Sequence, residues 1–233
     1  MSAPDRLTSY LHSLEPENTP LLAELRRYAG EHDVPIIRRE TESFLKTVMR
    51  MLRPGKILEI GTAIGYSSIV MAQNSNAVIT TIENYEKRIP VAEENIRRAG
   101  LEDRISLRRG DAGEVLPALS GAGQSYDLIF LDAAKGQYLI WLPCILSLMH
   151  EGSVLIADNV LQEQTVTESR FTVPRRVRTT HERMREFLYR IKHHPALESA
   201  VLSIGDGISM SVMLPGGRDN HTAVCRCQGQ LNK

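Results

Sequence analysis

Cysteine is scarce in this chain of 233 residues, with only Cys144, Cys225 and Cys227 present. Three thiols cannot build a disulfide framework, so a reducing cytoplasm is the expected setting. Cys225 and Cys227 form C-x-C, which is not the C-x-x-C pairing of a zinc ribbon. No apolar run approaches the roughly 20 residues that span a bilayer. The N-terminus, Met1-Ser2-Ala3-Pro4-Asp5-Arg6, lacks a basic-then-apolar signal pattern, so no membrane association or export is expected. Excess charge of one sign is missing too: 28 Lys and Arg balance 28 Asp and Glu. That argues against a general coat for nucleic acid but leaves room for a local basic patch. Aromatics are 5% of the chain and Trp141 is its one tryptophan, which disfavours a rich aromatic cage. There is no internal repeat and no low-complexity segment. A content of 42% hydrophobic and 24% charged residues excludes wholesale disorder and fibrous repeats. The length suits one large α/β domain, or one domain with a small extension.

What is present changes period at residue 54. Residues 4–53 read as helical: Pro20 and Pro35 suit first turns, and Leu21, Leu22, Leu25 and Tyr28 share a face. Then strands and helices alternate. Strands are predicted at 56–60, 77–82, 104–107, 126–131 and 153–157, with helices at 65–73, 86–99, 112–119 and 137–149 between them. This rhythm predicts a doubly wound, mostly parallel sheet. After a helix near 177–193, segments 197–204 and 208–214 flank Gly205-Asp206-Gly207, a hairpin signal. The reading is therefore a helical extension at 1–53, an α/β domain at 54–215 closing in an antiparallel hairpin, and a flexible tail at 216–233.

Ligands of open α/β sheets sit at the carboxyl ends of the strands. The first such end reads Glu59-Ile60-Gly61-Thr62-Ala63-Ile64-Gly65-Tyr66-Ser67. It is not a dinucleotide fingerprint, because Ala63 stands where the second glycine belongs, and no Walker loop follows. Glu83 follows the second strand, where a carboxylate can accept from two ribose hydroxyls. The third strand runs into Gly110-Asp111-Ala112, placed to read an adenine amino group. Together these ends imply an adenosine ligand without phosphates, and S-adenosylmethionine fits best. The plainer reading makes Glu83 a solvated loop residue and Asp111 an N-cap.

The fourth strand ends in Asp132-Ala133-Ala134-Lys135 and the fifth in Asp158-Asn159-Val160. Neighbouring strand ends would bring two carboxylates and an amide oxygen together near the glycine turn. Oxygen-only ligands suit a hard divalent cation such as Mg²⁺, which would favour ionisation of a substrate hydroxyl. Lys135 stands close enough to take the proton. Capping by Asp132 and Asp158 is the alternative, though it leaves Asp158-Asn159 unexplained as a pair. No Gly-x-Ser-x-Gly elbow or Cys/His nucleophile pattern is present.

These motifs, with Phe130-Leu131 before Asp132, resemble the cation-dependent class I O-methyltransferases, the family of caffeoyl-CoA and catechol O-methyltransferases. The resemblance runs from about residue 36 to 214. It implies a Rossmann-like class I methyltransferase fold with a seven-stranded sheet, and a homodimer. It implies that Glu59, Gly61, Gly65, Tyr66, Ser67, Glu83, Asp111, Ala112 and Asp132 surround S-adenosylmethionine. It further implies that Asp132, Asp158 and Asn159 hold the metal, and that Lys135, beside Asp132, is the general base.

The substrate reading rests on arginine. From Arg170 to His194 eight bases face only Glu182 and Glu186, a local charge of +6, and Arg38-Arg39 add a second basic pair. Such density suits phosphate oxygens, although a charge run is often only a solvated face. Asp132-Ala133-Ala134-Lys135-Gly136-Gln137-Tyr138, Asp158-Asn159-Val160-Leu161 and Pro174-Arg175-Arg176-Val177-Arg178 resemble the bacterial branch that methylates 5-hydroxyuridine at the tRNA wobble position. That resemblance implies an anticodon-loop partner, with Arg38, Arg39, Arg175, Arg176 and Arg178 as RNA contacts. An unpaired anticodon base needs no extraction from a duplex. The rival within the family is a catechol or CoA-linked phenol as substrate. A non-catalytic binding module has no use for Asp132, Lys135, Asp158 and Asn159, and Ala63 weakens a nicotinamide oxidoreductase.

Overall fold

A computed structural model describes residues 6–162 and 164–217. The tail from 218 onward, with Cys225 and Cys227, and residues 1–5 lie outside the described residues. Helix α1 spans Arg6–Leu14. Helix α2 (Pro20–Glu31) begins as its sequence dictates, with Thr19 accepting from the Leu22 amide and Pro20 in the first turn. Helix α3 (Arg39–Leu52) ends at Arg53, which takes a left-handed conformation.

The alternation follows: β1 (Lys56–Ile60), α4 (Tyr66–Gln73), β2 (Val78–Glu83), α5 (Ile89–Arg98), β3 (Ile105–Arg109), α6 (Ala112–Gly121), β4 (Tyr126–Leu131), α7 (Tyr138–Ser147) and β5 (Met149–Asp158). Helix α8 (Arg178–His193) leads into β6 (Leu197–Leu202) and β7 (Ile208–Met213). The seven strands run in the order β3-β2-β1-β4-β5-β7-β6. Strands β1 to β5 pair in parallel, and β7 lies antiparallel to both β5 and β6. The predicted sheet and hairpin are therefore observed. β5 starts at Met149 rather than near Ser153, with a register irregularity opposite Tyr126–Leu128.

Strand alternation divides the core. Leu58, Ile129, Leu131, Leu155 and Ala157 face α6, α7 and α8, where Leu116, Trp141, Ile145 and Phe187 are buried. Ile57, Leu128, Phe130, Val154 and Ile156 face the other layer, with Leu22, Leu25, Leu45 and Met49 of α2 and α3 beside Ile69 and Val70 of α4. The N-terminal helices α2 and α3 thus share the core of the sheet. Strand order reverses between β1 and β4, so their carboxyl ends open a crevice.

Candidate functional site

A cavity of about 560 Å³ occupies that crevice. Its walls include Gly61, Tyr66, Ser67, Glu83, Asp111, Ala112, Asp132, Lys135, Trp141, Asn159 and Arg38. Most residues singled out in the sequence therefore converge. Glu59, Gly65, Asp158, Arg39, Arg175, Arg176 and Arg178 do not line it.

The glycine turn is fixed by backbone demands. Gly61 has φ +103°, and a Cβ there would lie 2.0 Å from the Asp132 carbonyl oxygen. Only glycine lets the ends of β1 and β4 come this close. Gly65 is the left-handed cap of α4 and lies behind the wall. Ala63 also adopts a positive φ of 48°. Its amide donates to Glu83 Oε2 at 2.7 Å, while Asn84 and Tyr85 amides donate to Oε1 at 3.0 and 2.9 Å. Glu83 is thus a buried clamp on the turn rather than a solvated loop residue. A carboxylate offers about four lone-pair positions, so the clamp leaves room for one hydroxyl donor more readily than two. Asp111 fulfils both readings: it caps α6 through the Gly113 amide at 2.7 Å, and it lines the cavity.

Glu59 follows Ile57 on the α4 side of β1, so its carboxylate lies beneath the turn. It accepts from the Ser68 and Thr81 hydroxyls, and Oε1 has no hydrogen-bond partner. Burial pushes its carboxyl up to about 7, against the opposing pull of the Ser67, Ser68 and Thr81 hydroxyls. In this structure Glu59 supports the turn from behind.

The two aspartates meet through strand register. Leu131 pairs with Ala157, so the next residues, Asp132 and Asp158, end adjacent strands side by side. Both continue the rows that face α3 and α4. Burial raises both carboxyls above their ordinary range, that of Asp158 to about 7 with Asp132 adding to the shift; Lys135 opposes it at Asp132. Asp158 Oδ1 accepts from the Asn159 amide at 2.7 Å and from Thr41 at 3.5 Å, whereas Oδ2 is buried without a partner. Two adjacent carboxylates, one with an orphaned oxygen, and the Asn159 amide form a hard-oxygen donor set that fits a divalent cation. No cluster of three His, Cys, Asp or Glu side chains suited to a metal exists among the described residues, so the amide is integral to that set.

The sequence reading missed the contacts around Tyr66. Its hydroxyl donates to Glu42 Oε2 at 2.7 Å and accepts from Arg26 and Asn18, both at 3.2 Å. Glu42 also pairs with Arg26 at 2.6 Å and Lys46 at 2.5 Å. Burial raises the Glu42 carboxyl, but hydrogen bonds from Lys46, Tyr66 and Arg26 outweigh it and hold the group below its ordinary range. Helices α2 and α3 are thereby fastened to a cavity residue. The signal available was Glu42-x-x-x-Lys46, a helical ion pair.

The arginine run divides. Arg178 donates to the Val173 and Phe171 carbonyls, Arg183 to Gly136 and Arg185 to Glu168. Arg170 pairs with Glu182 and Arg190 with Glu186, while Lys192 donates to Ser199. Arg175 and Arg176 are exposed and have no partner among the described residues. Arg183 also anchors the residue that follows Lys135.

Comparison with known proteins places this geometry in context. A sequence model of the O-methyltransferase family matches residues 12–214. Tapetum-specific methyltransferase 1 of Arabidopsis thaliana is 30% identical over 205 residues, 84% of this chain and 87% of that protein. The catechol O-methyltransferase of Niastella koreensis is 38% identical over 135 residues, which is 56% of this chain and 61% of that protein. The structure of an O-methyltransferase from Bacillus cereus in complex with SAH superposes with a TM-score of 0.79 at 28% identity, covering 89% of this chain and 96% of the other.

Proposed function

The chain belongs to the O-methyltransferase family, and we propose that it transfers the methyl group of S-adenosylmethionine to the 5-hydroxyl of 5-hydroxyuridine at the tRNA wobble position, giving 5-methoxyuridine. The methyl-transfer reading is carried by the single cavity that gathers the glycine turn, Glu83, Asp111, Asp132 and Lys135. The SAH complex of the Bacillus cereus relative supports the same cofactor here.

S-adenosylmethionine, when bound, supplies an electrophilic methyl group on a sulfonium. A hard divalent cation such as Mg²⁺ on Asp132, Asp158 and Asn159 would supply charge that favours the ionised hydroxyl. The protein's own part is alignment and proton transfer. The open lone pair of Glu83 accepts a ribose hydroxyl, and Asp111 reads the base. Gly61, without a side chain, lets the ligand approach the backbone. Lys135 Nζ takes the substrate proton at the cavity wall.

Arg175 and Arg176 support the RNA substrate, because they keep their donors for an outside partner while their neighbours turn inward. Arg38 lines the cavity and Arg39 is exposed beside it, so both suit flanking phosphates. Arg178 is committed to carbonyls and serves the fold. The 38% identity to a catechol O-methyltransferase favours a second reading, a small catechol or CoA-linked phenol. A homodimer suits α1, which exposes Leu7, Tyr10, Leu11 and Leu14. Among the described residues no helix is long and apolar enough to cross a membrane.

The test is methyl transfer from labelled S-adenosylmethionine to tRNA carrying 5-hydroxyuridine and, in parallel, to a catechol, each with Mg²⁺ and with excess chelator. Chelator-sensitive label in the tRNA is the expected result. Label in the catechol alone would move the substrate to small phenols and keep the site.

A further inference from the structure

Tyr138 opens α7 directly beneath the two aspartate-bearing strand ends, and it is fully buried. Its hydroxyl lies 3.2 Å from the Leu131 carbonyl oxygen and 3.2 Å from that of Asp158, and the Ala133 amide donates to it at 3.2 Å. One phenol therefore touches the residues on both sides of Asp132 and the backbone of Asp158 itself. Its ring is held edge-on against Phe187 of α8, with centroids 5.6 Å apart. The β4–β5 ladder stops at Leu131 and Ala157, so the hydroxyl takes over where strand pairing ends. Burial, reinforced by Asp132, holds the phenol well above its ordinary range, so it stays a neutral donor.

We infer that Tyr138 is a positioning residue that sets the separation of Asp132 and Asp158 and thereby the affinity of the site for a divalent cation. A buried carbonyl left without its donor relaxes toward another partner, and Asp158 is the residue whose carbonyl would move. The hydroxyl touches backbone alone, so its loss leaves every proposed ligand side chain in place. The glycine turn and Glu83 lie across the cavity and make no contact with it, so cofactor affinity is independent of the phenol. The inference rests on the divalent-cation reading of the site.

The experiment titrates Mn²⁺ into the full-length protein, follows free Mn²⁺ by electron paramagnetic resonance, and measures SAH affinity and melting temperature alongside. Tyr138→Phe is expected to weaken Mn²⁺ binding by about 10-fold, the usual effect of removing a group that orients a ligand, with SAH affinity within twofold of wild type. Phe187→Leu, which loosens the ring and keeps the hydroxyl, should lower the melting temperature and retain Mn²⁺ affinity. Tyr138→Leu repeats the test should the phenylalanine variant not fold. Equal Mn²⁺ affinity in wild type and Tyr138→Phe overturns the positioning role alone, as does an equal loss in Phe187→Leu. Absence of Mn²⁺ binding by wild type overturns the cation reading, and this inference with it.

Discussion

Replacing Glu59 by glutamine should abolish a pH dependence that this one buried carboxyl imposes on the fold. The side chain is fully buried, its Oε1 lacks a partner, and its carboxyl is pushed from an ordinary 4.5 up to about 7. Between those values the folded protein holds a proton that the unfolded chain releases. Stability is then highest at acid pH and falls as pH rises from the lower value through the upper. The difference corresponds to about 3 kcal/mol once both states are ionised. That is a large share of the roughly 5–15 kcal/mol by which a domain is stable. Glu59→Gln keeps an acceptor oxygen for Ser68 and Thr81 and cannot titrate. Urea unfolding of both proteins at pH 5 and pH 8, in chelator so that Asp132 and Asp158 behave alike, gives the comparison. Wild type should lose about 3 kcal/mol more than the variant across that interval. Equal losses would refute the reasoning, since they require a Glu59 that is ionised in the fold at pH 5.

Glu42→Ala strands Arg26 and Lys46 and frees Tyr66, and should cost about 3 kcal/mol, the lower end for breaking a buried pair; less than about 1 kcal/mol by urea unfolding would show the contacts to be incidental. Because Glu42 is held below its ordinary 4.5, its contribution is present above that pH and is lost as pH falls through the folded value. Wild type should therefore lose its advantage over the variant on acidification. Gly61→Ala combines a left-handed backbone with a backbone clash at Asp132. It should destabilise by about 2–5 kcal/mol and weaken SAH binding, and a variant with wild-type stability and affinity would count against the close β1–β4 approach. Arg175→Ala with Arg176→Ala should weaken tRNA binding and flatten its log–log salt dependence by roughly 1.5, as expected for two lost phosphate contacts; an unchanged slope in filter binding would remove these arginines from the interface.

The fold was legible because each parallel strand is a short apolar run and each run is punctuated by glycine or an acid. Asp-Gly marked the hairpin, and Gly207 shows why: a Cβ there would lie 2.2 Å from Leu161. Linear spacing also located the cavity, since doubly wound topology sends every strand end to one side. It failed where the face mattered. Glu59 stands two residues before Gly61 and reads as a cavity residue, but strand alternation turns it with Ile57 toward α4. The arginine run reads as +6, but a count along the chain cannot show that Arg178, Arg183 and Arg185 spend their donors on carbonyls of loops that the helix itself anchors. The Tyr66 contacts were hidden for another reason, because Asn18, Arg26 and Glu42 are brought together only when α2 and α3 pack on α4.

Strand alternation, applied to both aspartates at once, carries the site further than either motif. Leu128, Phe130 and Asp132 form one row on β4, and Val154, Ile156 and Asp158 form the matching row on β5. Two apolar rows that end in acids at the same register can face only the same layer, which here is α3 and α4. Thr41, at the start of α3, reaches Asp158 from that layer, and Tyr66, at the start of α4, faces the same cavity. The N-terminal helices therefore stand over the carboxylates as well as the glycine turn. Changes in α2 or α3 that loosen Glu42 should then reach both cofactor and cation affinity, whereas loss of the Tyr138 hydroxyl, on the opposite face, should reach the cation alone.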